Sequence, residues 1–342
     1  MRTRRSIVLA MVAAAGVCAQ DKRVYPPGVT AEIQESIERG LEYLARTQSR
    51  DGCWRGNGGE GAYPCSMTAL AGMAILSSGS TPTRGRYWRN LTKATDYLMK
   101  QAQPQGVISA PAEEGRSMYG HGFGTMFLAS IYGMEEDQRR QQQLHDILTK
   151  AVALTARSQS GPGGWTYTPD SGGDEGSVTI TQMQGLRACR QAGITVPLET
   201  VKKAVGYIRK SANGDGGIRY MAGAGGESRP PITAAAVAVL YNAGNYEDPM
   251  AEKALLFALK RLPIGSGGEG HYYYAHFYLA QALYQRGGKQ WEQYYEKMAK
   301  QLVRTQRKDG AWDGDGVGST YGTAIALVIL QLPYAYVPIY QR

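Results

Sequence analysis

Beyond its first twenty residues the chain has no long apolar run, so nothing there reads as a membrane span. It also has no block of cations interleaved with aromatics. Its 38 Lys and Arg are scattered, many beside Glu on helix faces, so the formal charge of +9 reads as solvated surface and not as a nucleic-acid footprint. Charge is low, 20% against 43% hydrophobic, as in ordinary folded domains. Cysteine is scarce at four residues, one of them within the first twenty. Glycine is not scarce: 44 residues, about twice the usual share, cluster between apolar stretches where turns or close backbone approach need them.

The N-terminus carries Arg2, Arg4 and Arg5, an apolar stretch from Ile7 to Val17, and Val17-Cys18-Ala19 before Gln20. This pattern predicts a signal peptide over residues 1–19 and export to the periplasm or beyond the cell. Residues 20–29, with Pro26-Pro27-Gly28, read as a linker. Export would place Cys53 and Cys65, which flank a Gly-rich loop, in an oxidising compartment, and a disulfide between them is expected. Cys189 lies in an apolar helical stretch and reads as a buried thiol.

One pattern organises the remainder. Gln-x3-Gly-x-Trp occurs at Gln48, Gly52, Trp54, at Gln159, Gly163, Trp165 and at Gln306, Gly310, Trp312. Degenerate copies stand at Ala102, Gly106, Ile108, at Ala212, Gly216, Ile218 and at Ser266, Gly270, Tyr272. Each copy follows an amphipathic helix, such as the one with Ile33, Ile37, Leu41 and Leu44 on one face, and precedes a nearly all-apolar one, such as Ala324 to Leu330. A helix apolar on all sides is buried on all sides. Six hairpins, at about 30–79, 90–134, 148–194, 201–245, 251–288 and 291–333, are therefore expected to place apolar helices inside and amphipathic helices outside. The predicted fold is all-α: an α6/α6 toroid forming one domain over 30–342, with no exposed end to cap.

The Gln-Trp repeat resembles that of squalene–hopene cyclases, and the six-hairpin layout resembles protein prenyltransferase β subunits; the likeness covers essentially the whole mature chain. Arg39-Gly40, Tyr43-Leu44, Gln48, Gly52 and Trp54 carry it most closely. Tyr272-Tyr273-Tyr274, Tyr284-Gln285-Arg286-Gly287-Gly288 and the ending from Tyr334 to Arg342 resemble small exported bacterial proteins of this class. The resemblance implies structural roles for the Gln and Trp residues. The catalytic parts of those enzymes are missing. No inner-helix head carries Asp-x-Asp-Asp, and Asp313-Gly314-Asp315 lies in a loop without the following Asp. Where the prenyltransferases hold zinc, this chain has Tyr272, Tyr274 and Gly322, so no metal and no cofactor is expected. Cys65 is followed by Ser66-Met67-Thr68 and cannot form the thioester of the complement-type toroids.

Aromatic and polar residues gather at the inner-helix heads: Tyr119, His121 and Phe123, Asp174 and Glu175, Tyr272, Tyr273, Tyr274 and His276, and Tyr321, with Glu269 nearby. All heads point to one end of a toroid, where unpaired helix N–H groups would also converge, so this end is the expected binding mouth. Three functions stay open. The protein binds an apolar, isoprenoid-like ligand or a polypeptide partner without chemistry; it is an isoprenoid-handling enzyme with unrecognised residues; or it acts on glycans through a carboxylate pair.

Overall fold

A computed structural model describes residues 24–265 and 270–342. The expected leader, the start of the linker, Ser266 and Glu269 lie outside the described residues. Among those described there are twelve α-helices and no strand. The outer ring is α1 (Ala31–Thr47), α3 (Trp88–Lys100), α5 (Gln138–Arg157), α7 (Leu198–Lys210), α9 (Pro249–Arg261) and α11 (Gly288–Thr305). The inner ring is α2 (Pro64–Leu76), α4 (Ser117–Tyr132), α6 (Gly176–Gln191), α8 (Pro230–Asn242), α10 (Tyr272–Arg286) and α12 (Ser319–Gln331). Each inner helix packs on both inner neighbours, α12 on α2 included, so the predicted α6/α6 toroid closes. Every residue of α2 and α12 is buried, while α1, capped by Thr30, buries only its Ile33, Ile37, Leu41, Leu44 face and close neighbours.

The repeated residues bind one hairpin to the next. Gln48 Nε2 donates to Gly52 O of its own turn at 2.8 Å and to Asn90 O of the following outer helix at 3.0 Å. Gln159 does the same to Gly163 O and Thr200 O. Gln306 donates to Gly310 O and, at 2.9 Å, to Ser36 O of α1, tying the last hairpin to the first. Arg39 of α1 donates in turn to Gln306 Oε1. Gly52, Gly163 and Gly310 have positive φ, and a Cβ on them would collide with the carbonyl oxygens of Lys93, Lys203 and Arg39. Glycine is needed there both for the turn and for the approach of the next helix.

The indoles of Trp54, Trp165 and Trp312 are buried and donate to carbonyls of the preceding outer helix, Leu44, Thr155 and Leu302, at 2.7–2.9 Å. Their backbone N–H groups donate to threonine hydroxyls one turn into the inner helix: Thr68, Thr179 and Thr323. Ile108 and Ile218 fill the Trp position in two other units. The fifth copy departs from expectation. Gly270 meets nothing within 4 Å, whereas Gly265, also at positive φ, lies against Gln301 of α11. The α9–α10 connection thus does not reproduce the motif's close approach at Gly270.

The far end of the ring is closed by the chain's last residues. Arg187 bridges Asn242 Oδ1 and Gln341 O, Tyr284 OH donates to Gln341 Oε1, and Tyr340 is buried edge-on to Phe277. Gln184 Nε2 donates to Gln281 Oε1 at 2.9 Å, joining α6 to α10 through the ring centre.

Candidate functional site

At the helix-head end a cavity of about 450 Å³ opens within the inner ring, in the size range of small-molecule sites. Of the expected residues, Tyr119, Phe123, Tyr274 and Tyr321 line it. Tyr63, Tyr167 and Tyr220 complete the aromatic wall, and Met67, Leu70, Ile232 and Val317 supply aliphatic surface. Glu60, Arg116, Arg229, His271 and Asp315 are its charged or titratable members.

Four of these added residues share a position the sequence marks but does not announce. Tyr63, Arg116, Arg229 and His271 each immediately precede an inner helix and act as its N-cap residue. Tyr167 and Tyr220 each stand two residues after a Trp-position residue, Trp165 and Ile218. Asp315, read from sequence as an incomplete motif, has φ +38° and accepts from Tyr274 N at 3.0 Å. Burial raises its pKa, and the backbone N–H groups at the start of α10 oppose that rise.

His121 and His276 turn away from the mouth. His121 occupies the place of Thr68 and Thr179: its Nδ1 accepts from Ile108 N at 3.3 Å, and its Nε2 bonds Thr155 Oγ1 at 2.9 Å. That pattern requires the neutral Nε2–H tautomer. His276 stands at the same depth in α10, with Nδ1 2.9 Å from Tyr294 OH of α11. Burial lowers both pKa values from 6.5 to about 4. Both are wall pins between inner and outer rings. Tyr272 faces the same way, its ring tilted against His276 at 4.3 Å and its hydroxyl meeting Met298, and neither it nor Tyr273 lines the cavity. Asp174 lies behind the wall, accepting from Ala222 N.

Glu175 also sits behind the wall, 2% exposed, capping α6 by accepting from Ser177 N and Val178 N. Burial raises its pKa, opposed by hydrogen bonds from Ser177 and Tyr220. One chain of hydroxyls joins it to the cavity, and a second hydroxyl pair stands nearby. Ser177 Oγ donates to its carboxylate and lies 2.6 Å from Tyr119 OH; Tyr220 OH lies 2.6 Å from Tyr167 OH.

The helix heads are not the free N–H sites the sequence suggests. Five of the six inner-helix heads are met by the following loop: Asn57 Oδ1 takes Ser319 N of α12, Glu113 takes Cys65 N and Ser66 N of α2, Tyr167 O takes Met118 N of α4, and Tyr220 O takes Gly176 N of α6. Asp315 does the same for α10. At those five heads the mouth offers side chains, not helix dipoles, to a ligand. Its charges are mixed, with Glu60 and Asp315 on the first and last loops and Arg116 and Arg229 at the heads of α4 and α8.

The expected Cys53–Cys65 bond is corrected as well: both thiols are free and buried. They are held by different partners. Burial and the Asp51 carboxylate push the Cys53 thiol up to about 11, and burial and Glu113 push Cys65 higher still. Cys189 is buried and free, as read. Among the described residues no cluster of metal-ligating side chains occurs, and no helix is long and apolar enough to cross a membrane.

No family model matches the chain, and no curated protein matches it. Solved structures do. A protein from Actinoplanes is 17% identical, with 89% of this chain and 99% of that one covered at a TM-score of 0.61. A type II terpene cyclase from Scytonema, solved with geranylgeranyl dihydroxybenzoate, is 15% identical over 90% and 98% at 0.59. An alpha-1,6-mannanase from Salegentibacter, solved with alpha-1,6-mannotriose, is 9% identical over 89% and 99% at 0.62. At these identities the likeness speaks for fold alone: the chain has the α/α-toroid architecture that terpenoid cyclases and such mannanases share.

Proposed function

We propose that this protein binds an apolar, isoprenoid-like ligand in the mouth of its toroid, body down and polar end at the rim. The observation that carries the reading is the aromatic cavity itself. Rings from six loops or helices and the aliphatic Met67 and Leu70 surround it, and the buried Gln184–Gln281 hydrogen bond spans α6 to α10. Apolar burial in such a site supplies affinity, and its few polar groups set orientation. A polypeptide inserting one large apolar side chain would use the same surface. We place this activity outside the cytoplasm, on the strength of the leader-like first nineteen residues.

The test is equilibrium binding of a series of isoprenoid alcohols and hydrophobic peptides to the wild type and to Met67→Trp, which fills the cavity from α2. Binding by the wild type and its loss in a folded Met67→Trp protein supports the reading. Equal binding by both moves the site elsewhere. One observation favours a second reading, proton donation to the bound ligand. Asp315 is a cavity-wall carboxyl whose pKa burial raises. Turnover of a bound isoprenoid that disappears in Asp315→Asn while binding persists would select it.

A further inference from the structure

We infer that the Tyr119–Tyr167 face of the cavity is a hydrogen-bond acceptor site, and that the ligand it selects is an apolar alcohol. The inference rests on the reading that the cavity binds an apolar molecule, and it names the polar group that molecule carries.

The argument is an accounting of protons. A serine or tyrosine hydroxyl has one proton to give. Glu175 accepts from two backbone N–H groups and from Ser177 Oγ, at 2.6–2.9 Å, which is the bonding of an ionised carboxylate. The Ser177 proton is therefore committed to Glu175. Ser177 Oγ can then meet Tyr119 OH, 2.6 Å away, only as acceptor, so the Tyr119 proton is committed as well. The Tyr167–Tyr220 contact is equally short, 2.6 Å, and either hydroxyl can give its proton there.

Tyr119 and Tyr167 are neighbours, with ring centroids 5.9 Å apart, and both line the cavity. Tyr119 presents an oxygen whose proton points away into the wall. Among the described residues no other side chain or backbone N–H donates to either oxygen; Arg116 lies over the Tyr167 ring at 5.2 Å but gives its hydrogen bond to Tyr63 OH. The buried carboxylate polarises the Ser177–Tyr119 chain and strengthens its terminal oxygen as an acceptor.

The Tyr119 oxygen asks for a donor. An ether, an aldehyde or an ionised carboxylate has none, and would set one acceptor against another. An ammonium group has donors but would sit beside the Arg116 guanidinium. A neutral hydroxyl meets both conditions.

The experiment is competitive binding of farnesol, farnesyl methyl ether and farnesylamine to the full chain and to Tyr119→Phe and Ser177→Ala. Wild type should prefer the alcohol over its ether by about ten-fold, the usual consequence of leaving a buried polar group unpaired. Tyr119→Phe should shrink that ratio towards one without loss of ether binding. Ser177→Ala releases the Tyr119 proton towards the cavity and should improve ether binding relative to alcohol, an inversion that simple loss of packing does not produce. Equal affinity of the wild type for alcohol and ether overturns the acceptor site while leaving the cavity a binding site. Tighter binding of the amine than of the alcohol overturns the neutral-hydroxyl assignment. Failure of every probe to bind overturns both the inference and the reading beneath it.

Discussion

His121 and His276 make acid sensitivity the sharpest test of the packing described here. Both imidazoles are buried and neutral, with pKa lowered by burial from 6.5 to about 4. In the unfolded chain they titrate near the ordinary value, so below it the unfolded state binds protons that the folded state refuses. The stability these two sites contribute is thus complete above pH 6.5 and is lost as pH falls towards 4. At 1.36 kcal/mol per pKa unit, the displacement corresponds to roughly 3 kcal/mol at each site by pH 4. Glu175 and Asp315, whose pKa values burial raises, act in the opposite sense, since protonation relieves their burial. The histidine effect must therefore be read as a difference. Urea unfolding from pH 7.5 to 4.5 should be compared for the wild type and for His121→Thr, which installs the residue used at the same place by Thr68, Thr179 and Thr323. The variant should lose stability less steeply below pH 6.5. Identical slopes for the two proteins would show that His121 is protonated in the folded state, and the buried-pin geometry would be wrong.

Trp312→Ala should cost about 3–5 kcal/mol, as for other buried aromatics, and a near-zero shift in the urea midpoint would mean the indole is not part of the core. Gln306→Ala leaves Ser36 O and Gly310 O without their donor and should cost about 1–3 kcal/mol, read in the same assay; no loss would deny the closing tie between α11 and α1. Cys53, Cys65 and Cys189 should ignore a thiol reagent in the native protein and react together on unfolding. Peptide mapping without reductant that recovers a Cys53–Cys65 pair would restore the disulfide expected from sequence.

The twelve helices were legible because burial leaves a period: α1 shows one apolar face, and α12 shows none that is polar. The toroid followed from counting hairpins. The site was legible only in part, because a helix head announces that it is near the mouth but not which way each side chain turns. Tyr119 and Phe123 face the cavity, while His121, between them in sequence, points at α5. The threonine at the equivalent place in other hairpins was the available signal. Contacts between distant segments were out of reach. Asn57 caps Ser319 262 residues away, and Glu113 caps α2 from the next loop, so the heads that read as free N–H sites are occupied. The same Glu113 gives Cys65 a partner other than Cys53. Asp315 was passed over because its value lies in where the first and last loops meet, not in its neighbours along the chain.

The central claim is that the helix-head cavity holds an apolar molecule, and the direct measurement is mass spectrometry of an organic extract of the protein purified from its own host. The wild type should yield one dominant apolar, hydroxyl-bearing species near one per chain, and folded Met67→Trp should yield none. The same species at the same ratio from both proteins, or nothing from either, would contradict the account.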